Sequence, residues 1–506
     1  MGTRLHVNLK RVLGTRNPMI YGHFIEHFHR QIYGGVYDPG NSLSDESGLR
    51  MDVLDAMRKI RVPVLRWPGG CFVSSYHWKY GVGKERIPMY DKAWAVEDPN
   101  TFGTDEYVDM CRKIGCEPYI CANAGTGTPE EISDWVEYCN LKQEGQFAKW
   151  RIANGHEAPH QVKYWSIGNE NWGEWELGAK TAEEWGYFVR ETGKMIKHVD
   201  KDTELTAAAL PDLDWNTQLL RIGGKFLDWI SIHQYWDPIN GTNDFASYEQ
   251  VMAYTNLTEN GIREVRGLLT AMRLEKKIKI AFDEWNLRGW YHPDATKRGP
   301  GETREDYVKL RDKNDINSLY TMADALFTAC FLNTCNRNCD IVGMANFAPI
   351  VNTRGCIFTY PDGIVLRSTY HVFDLYVNCL GDVILDSWEE DAGYMTVRNR
   401  AGELEETAEL DILATAFQDK PGVAIAIVNK NASSEKELAL CFDDDSVKEG
   451  AAVILHYICG DSTEAYNDIG HEGVPLCKEN LGTYRKGMKI ILKPHMVGVL
   501  QIGVES

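Results

Sequence analysis

The chain has 506 residues, of which 43% are hydrophobic and 25% are charged, as is ordinary for a soluble globular protein. Its formal net charge of −19 argues against nucleic acid, anionic membranes and acidic polymers as partners, and is compatible with a neutral substrate such as a sugar. The 13 cysteines are scattered without a CxxC pair, and no apolar run is long enough for a signal peptide or a membrane helix, so we predict a cytoplasmic protein with reduced, buried thiols.

Eight short apolar segments predict buried strands. Their hydrophobicity is nearly continuous rather than alternating, which is typical of parallel strands that are covered on both faces. The segments are 18–25, 62–67, 117–123, 162–168, 204–210, 228–235, 277–284 and 340–348.

Amphipathic stretches with the helical period lie between these strands. Thr104 and Thr181 stand where N-caps belong, and each is followed by acidic residues in the next turn. Strand and helix alternate eight times, which predicts an α/β fold with a closed (β/α)8 TIM barrel rather than an open doubly wound sheet. The clearest predicted helices are 51–60, 104–114, 181–198 and 316–335.

The pattern of hydrophobic and polar residues changes after about residue 384. Short β-rich segments separated by Asp, Gly, Asn and Ser replace the alternation, which predicts a C-terminal β-sandwich. The first 16 residues are compatible with one more strand of it, so we predict a barrel over 17–383 and a sandwich domain formed by 1–16 plus 384–506. The predicted strands are 422–429, 436–442, 451–458 and 487–502.

Two of the predicted strands end in a carboxylate flanked by Asn and Trp. The fourth runs into Glu170 within WSIGNENW, and the seventh runs into Glu284 within AFDEWN. Active groups of such barrels lie at the carboxyl ends of strands, and glycosidic hydrolysis requires two carboxyl groups facing the anomeric carbon. The alternative is a pair of ordinary loop carboxylates. Strand alternation points Asp283 away from Glu284, which favours a supporting hydrogen-bonding role for Asp283.

At this point the sequence resembles glycoside hydrolase family 51, the intracellular α-L-arabinofuranosidases, over nearly its whole length. The resemblance implies a (β/α)8 barrel with a C-terminal jelly-roll sandwich, a homo-hexamer, Glu170 as the acid/base and Glu284 as the nucleophile. We expect the pKa of Glu170 to be raised before attack, as a general acid requires. The resembling motifs are YGHFIEHFHRQIYGGVYDPGN (21–41), VPVLRWPGGCFVSSYHWKYGVG (62–83), YWSIGNENWGEWELG (164–178), ISIHQYW (230–236) and IAFDEWN (280–286).

The resemblance also implies substrate-binding residues. Asn169 resembles the residue that binds the sugar 2-hydroxyl, with a capping side chain as the alternative. Glu26 resembles a residue that binds substrate hydroxyls, with a buried ion pair to Arg66 as the alternative. Arg66 itself is expected to orient a catalytic carboxylate through a bidentate contact.

Further pocket residues follow from the same resemblance, as for Cys71 and Tyr235, or from a place at a strand end or in a predicted loop, as for Asn123 and the tryptophans. Cys71 lines the pocket, or else it is a small core residue. Tyr235 is expected beside the nucleophile, whereas His233 in the same motif is interpreted as structural. Asn123 either reaches the sugar or bonds to its own loop. Trp94 is the aromatic residue that we assign to substrate binding, and other tryptophans of predicted loops could stack on sugar rings, namely Trp78, Trp172, Trp175 and Trp290.

A metal site is the weaker interpretation of the histidines around Glu26. His23, His27 and His29 do not have the HExxH spacing, and hydrolysis by two carboxylates needs no metal or other cofactor. No P-loop or GxGxxG motif follows a strand, so nucleotides are not expected.

The chain departs from the family in the walls of the pocket. Residues 125–128 read Gly-Thr-Gly-Thr where an Arg often stands, and 171–175 are bulkier than the Met-Asp form of many members. The eighth strand lacks the substrate-binding Gln, for which Asn346 could substitute. We therefore predict a retaining exo-α-L-arabinofuranosidase. The alternatives are a β-galactofuranosidase, β-xylosidase or endo-glucanase of the same fold and, more distantly, a non-catalytic carbohydrate-binding barrel.

Overall fold

The computed structural model describes residues 2–239, 243–293, 299–443 and 447–504. Within them, a closed eight-stranded barrel is joined to a nine-stranded sheet. The barrel order is β2-β3-β6-β7-β8-β9-β10-β11, and every pairing in it is parallel. The strands are β1 Thr3–Thr15, β2 Gly22–Phe24, β3 Val64–Trp67, β4 Met89–Asp91, β5 Val96–Asp98, β6 Glu117–Ala122, β7 Tyr164–Ile167, β8 Glu204–Ala209, β9 Trp229–Asp237, β10 Lys279–Arg288, β11 Val342–Phe347, β12 Ile357–Tyr360, β13 Gly363–Leu366, β14 Val383–Glu390, β15 Tyr394–Arg398, β16 Leu404–Ala408, β17 Leu410–Ala416, β18 Val423–Asn429, β19 Lys436–Phe442, β20 Ala452–Ile458, β21 Asn467–Asp468, β22 His471–Glu472, β23 Leu476–Thr483, β24 Lys489–Leu492 and β25 Val497–Ile502.

The TIM barrel with a C-terminal β-domain is confirmed, and each of the eight predicted barrel segments contains a strand. The first segment is only partly a strand, because Pro18–Tyr21 form a 3-10 turn that begins at the side chain of Asn17. Proline at the start of a turn favours this conformation, since its missing N–H has no ladder bond to make. Among the described residues, no helix is long and apolar enough to cross a membrane.

The helices lie around the barrel, and several of them begin at a side-chain cap. Thr181 caps its helix as predicted and forms a capping box with Glu184. Thr104 is instead the first helical residue after Gly103, and its hydroxyl accepts a hydrogen bond from Trp135. The helices are α1 Met51–Lys59, α2 Thr104–Ile114, α3 Pro129–Asn140, α4 Gly145–Ala153, α5 Ala182–Val199, α6 Leu213–Ile222, α7 Tyr248–Tyr254, α8 Leu257–Ala271, α9 Arg304–Lys309, α10 Met322–Arg337 and α11 Ser368–Cys379.

The β-domain is a nine-stranded sheet in the order β23-β20-β25-β18-β17-β14-β1-β19-β24. The N-terminal strand β1 pairs antiparallel with β14 and parallel with β19. Leu455 near one end of the sheet and Ile490 at the other share one hydrophobic core, so the sheet curves back over itself. The division of the chain at residues 16/17 and 383/384 stays a prediction.

The thirteen cysteines are all described and free, but only seven are buried and six are half-buried. The predicted reduced thiols are thus compatible with the fold, whereas the prediction that they are buried holds for seven of them and not for Cys71, Cys339, Cys379 or the three cysteines of the β-domain. The half-buried cysteines of that domain are Cys441, Cys459 and Cys477.

A bulge in β10 decides the direction of the carboxylates at its end. The pairing with β9 slips between Ala281, which lies opposite Ser231, and Glu284, which lies opposite His233. A bulge breaks the strict two-residue alternation of side chains. Asp283 and Glu284 therefore both approach Arg66, and the prediction that alternation points Asp283 away is wrong.

Candidate active site

Arg66 is a fully buried cation that connects three strands of the barrel. Its Nη1 donates to Oε2 of Glu284 over 2.9 Å, and its Nη2 donates to Oδ1 of Asn169 over 2.9 Å. Its Nε lies 3.6 Å from Oδ2 of Asp283. A buried guanidinium requires such partners because an unpaired charge without solvent is costly. The predicted bidentate contact with one carboxylate is not formed, since the second terminal nitrogen binds Asn169.

Glu170 and Glu284 face each other at the carboxyl ends of β7 and β10. With His233 they form a group in which one oxygen or nitrogen atom from each residue lies within 4.8 Å of the others. A close approach of the two carboxyl groups is typical of retaining glycosidases, in which they lie roughly 5–5.5 Å apart, whereas they lie roughly 6.5–9.5 Å apart in inverting ones. Tyr235 donates its hydroxyl to Oε1 of Glu284 over 2.5 Å, so both oxygens of Glu284 accept a hydrogen bond.

His233 lies between three carboxylates, a position that the sequence did not predict. Its Nδ1 is 3.0 Å from Oε1 of Glu170 and 3.5 Å from Oε2 of Glu284, and its Nε2 is 3.3 Å from Oδ1 of Asp283. Burial lowers the pKa of His233, but the surrounding carboxylates outweigh it and raise the pKa to about 10. The imidazole is therefore a cation at neutral pH, and its role is electrostatic as well as structural.

The pKa of Glu170 is shifted in the direction opposite to our expectation. Burial raises this pKa, but the hydrogen bond and charge of His233, together with the bond donated by Trp175 over 2.9 Å, lower it overall. The expectation rested on the requirement that a general acid be protonated near neutral pH. The neighbouring cation is contributed by β9, which sequence proximity does not reveal.

Glu26 accepts hydrogen bonds from two backbone N–H groups and an indole N–H rather than from Arg66. Its Oε1 receives the backbone N–H groups of Gly70 over 2.9 Å and Phe72 over 3.2 Å, and the indole N–H of Trp94 over 3.1 Å. Burial and the charge of Glu284 raise the pKa of Glu26 to about 8. Glu26 and Trp94 are thus brought together beside the nucleophile.

The glycine pair before Cys71 allows this close approach. A Cβ on Gly69, whose φ is +151°, would lie 2.3 Å from Cγ of Glu26. A Cβ on Gly70 would lie 3.2 Å from Oε2 of Glu284 and 3.4 Å from Oε1 of Glu26. Only glycines therefore let this turn pass between the two carboxylates.

Cys71 and Glu176 form the wall of the site next to Glu170. Sγ of Cys71 and one oxygen from each glutamate lie within 4.8 Å of one another. Nδ2 of Asn169 donates to Oε2 of Glu176 over 3.2 Å, and the hydroxyl of Ser74 donates to its Oε1. Burial and the charge of Glu170 raise the pKa of Glu176 to about 7. Sequence reasoning missed Glu176, although a carboxylate six residues beyond Glu170 in the same loop was a usable signal.

Two predicted substrate ligands use their polar atoms elsewhere. The side-chain oxygen of Asn123 accepts the backbone N–H groups of 125, 126 and 127, and its nitrogen donates to Tyr76 and Thr126, so it bonds to its own loop. Asn346 donates to the carbonyl of His23 over 3.0 Å. Their contact with substrate stays a prediction. Trp78, by contrast, is buried in the core, so its ring is not available to stack on a sugar.

Arg354 is a second buried cation near the nucleophile that the sequence did not indicate. Its guanidinium carbon lies 3.5 Å from the ring centre of Trp290 and 4.5 Å from that of Tyr235. This stacking supports the tyrosine whose hydroxyl binds Glu284. On the opposite wall, Trp175 is 63% exposed and its ring packs edge-on against Trp172.

The three histidines around Glu26 separate in the fold. His27 bonds to Asp98 over 2.7 Å and His29 to Asp315 over 3.0 Å, while the ring nitrogens of His23 are buried without a hydrogen-bond partner among the described atoms. Three other groups of described residues have ligand atoms close enough to hold a metal ion, two of them within the site. They are Asp105, His156 and His160; Cys71, Glu170 and Glu176; and Glu170, His233 and Glu284.

Comparisons with known proteins match this architecture. Two family models match, "Alpha-L-arabinofuranosidase 1 domain" over residues 56–253 and "Alpha-L-arabinofuranosidase C-terminal domain" over 283–495. A probable α-L-arabinofuranosidase C of Aspergillus clavatus is 34% identical over 92% of this chain and 91% of its own. An intracellular exo-α-(1→5)-L-arabinofuranosidase of Halalkalibacterium halodurans is 31% identical over 91% of each chain. The crystal structure of an α-L-arabinofuranosidase from Thermotoga maritima in complex with arabinose superposes with a TM-score of 0.86, 32% identity and 99% coverage of both chains.

Proposed function

The chain belongs to the α-L-arabinofuranosidases of glycoside hydrolase family 51, and from this membership we propose that it is a retaining exo-glycosidase that releases terminal α-L-arabinofuranosyl groups from arabinose-containing oligosaccharides. The observation that carries the mechanism is the pair of carboxylates, Glu170 and Glu284, of which one oxygen each lies within 4.8 Å of the other. Such a close approach supports a retaining reaction, because an inverting reaction needs additional room for a water molecule.

Glu284 is the nucleophile of this mechanism. Arg66 and Tyr235 each donate to one of its oxygens, which fixes its orientation. Burial and the charge of Glu284 raise the pKa of Tyr235, so the phenol keeps the proton that it donates. The carboxylate attacks the anomeric carbon and forms a covalent glycosyl-enzyme.

Glu170 is the acid/base. It protonates the glycosidic oxygen as the bond to the anomeric carbon breaks, and then removes a proton from the water that hydrolyses the intermediate. Its neighbour Asn169 is proposed to bind the sugar 2-hydroxyl, and the proposal is supported by the amide hydrogen that remains after the other has bonded to Glu176. Glu26, Cys71 and Trp94 complete the walls around the same carbon.

The sugar and the mode of action are tested with a panel of nitrophenyl glycosides and with short arabino-oligosaccharides. We expect turnover of the α-L-arabinofuranoside, release of single arabinose units, and a first product with the same anomeric configuration as the substrate when followed by NMR. Turnover restricted to a galactofuranoside, xyloside or glucan would replace the substrate assignment. An inverted product would overturn the roles given to Glu284 and Glu170.

Location and assembly are part of the proposal. A cytoplasmic enzyme would act on imported oligosaccharides, and a relative from Halalkalibacterium halodurans is named an intracellular exo-α-(1→5)-L-arabinofuranosidase. We expect a homo-hexamer, which size-exclusion chromatography with light scattering measures directly. If that measurement shows a monomer, the proposed hexamer is wrong, whereas the proposed reaction is unaffected.

A further inference from the structure

Glu176 is a third buried carboxylate beside the acid/base, and it has no part in either step of the double displacement. It lies in the loop after β7, its exposure is 3%, and it is held by Ser74 and Asn169. A carboxylate that is enclosed next to another carboxylate is electrostatically unfavourable unless it is bonded or protonated. Its position therefore calls for a functional account.

The first consequence of this position concerns Asn169. The amide lies between a cation and a carboxyl group, with Arg66 donating to Oδ1 over 2.9 Å and Glu176 accepting from Nδ2 over 3.2 Å. Rotation of the amide by 180° would place its N–H groups against the guanidinium and its oxygen against the carboxylate. Both ends of the Asn169 amide are thus fixed. Because the amide is planar, the hydrogen bond made by one N–H of Nδ2 also fixes the direction of the other N–H.

The second consequence concerns the proton of the acid/base. The charge of Glu170 contributes to raising the pKa of Glu176 to about 7, and such an interaction is reciprocal, so a charge on Glu176 also favours the protonated form of Glu170. His233 and Arg66 act in the opposite direction on Glu170. Cys71, Cys121 and, beyond Cys71, Glu26 are further titratable groups near the pair, and the pKa of Cys71 is raised by burial and by Glu176.

We infer that Glu176 is a positioning residue of the reaction, which acts through Asn169 by fixing its amide toward the sugar and through Glu170 by retaining one proton within the Glu170–Glu176 pair near neutral pH. This inference rests on the proposed function. It explains how Glu170 can act as a general acid although the charge of the adjacent His233 imidazolium favours the ionised form of Glu170.

The test compares Glu176→Gln with Glu174→Gln, a control that removes the same charge from an exposed position of the same loop. Both variants are assayed against pH on an arabino-oligosaccharide and on an aryl arabinofuranoside with an activated leaving group. For Glu176→Gln we expect the basic limb of kcat/KM on the oligosaccharide to move about one pH unit toward acid, because Glu170 loses the neighbour that favours its proton. The aryl substrate needs little protonation and should show a smaller shift.

Glu176→Asp retains the charge and should restore the basic limb, while the shorter side chain leaves Asn169 less well fixed and lowers kcat/KM on both substrates. If Glu176→Gln does not fold by circular dichroism, Ser74→Ala provides the second test. It removes a hydrogen bond that favours charged Glu176, so the pair should retain its proton to higher pH and the basic limb should move toward alkali.

Identical pH profiles of kcat/KM for Glu176→Gln and Glu174→Gln would overturn the inference. If Glu176→Gln is unfolded, an unchanged basic limb in Ser74→Ala would overturn it. That outcome is distinct from failure of the proposed function, which would appear as absence of arabinofuranoside turnover in the unsubstituted enzyme.

Discussion

Nδ1 of His233 lies 3.0 Å from Oε1 of Glu170, and this contact joins the interior of β9 to the loop that carries the acid/base. The two residues are 63 positions apart in sequence. Because the imidazole is a cation at neutral pH, it is the principal opponent of a protonated Glu170.

Replacing that cation should raise the pKa of the acid/base. For His233→Asn we expect the basic limb of kcat/KM to move about one pH unit toward alkali, since the charged form of Glu170 loses its main partner. We also expect kcat to fall roughly tenfold or more, because Asp283 and Glu284 lose the same neighbouring cation. His198→Asn, at an exposed position in α5, is the control and should leave the profile unchanged. A limb that moves toward acid would contradict the electrostatic role of His233.

The two catalytic carboxylates should be separable by leaving group. Glu284→Ala should lower turnover of every glycoside by roughly 10³-fold or more, because the variant loses the carboxylate that attacks the anomeric carbon. Glu170→Ala should lower oligosaccharide turnover by roughly 10²–10⁴-fold and spare the first step on an activated aryl glycoside. Kinetics on both substrates, with added azide as an external nucleophile, measure this. Equal losses on both substrates in Glu170→Ala would remove its assignment as the general acid.

Gly69 should not tolerate a side chain. Gly69→Ala places a methyl group 2.3 Å from Cγ of Glu26 at a φ of +151°, so we expect a loss of about 2 kcal/mol or more in stability and a displaced Glu26. Gly40→Ala is the matched control, because Gly40 also has a positive φ, +91°, but no heavy atom within 4 Å of the added Cβ. Urea denaturation compares the two. Equal losses would show that backbone strain alone, rather than overlap with Glu26, accounts for the effect.

Glu26 should make stability depend on pH. Its pKa is raised from 4.5 to about 8 in the folded protein, so its contribution is fully present below pH 4.5 and is lost as the pH rises toward 8. Glu26→Gln removes this titration. The stability of the variant relative to the unsubstituted protein should therefore increase between pH 4.5 and 8, by on the order of a few kcal/mol, since one pKa unit corresponds to about 1.4 kcal/mol. Denaturation at several pH values tests the sign, and a constant difference would contradict it.

The sequence by itself determined the barrel, the β-rich C-terminal domain and the family. Continuous apolar segments, amphipathic stretches and their alternation depend on local periodicity, which is written directly in the chain. The same periodicity located Glu170 and Glu284 at the ends of their strands, and the motifs around them were sufficient to relate the chain to its family.

Only the tertiary structure decided what surrounds those two carboxylates. His233 and Glu176 reach the acid/base from another strand and from a turn of the loop, and the bulge in β10 brings Asp283 to the same side as Glu284. The direction in which the pKa of Glu170 moves depends on charges within a few ångströms, which come from positions far apart in sequence. The local sequence pattern indicates which face of a helix or strand is buried. Which residues of other elements contact that face is decided only when the barrel closes.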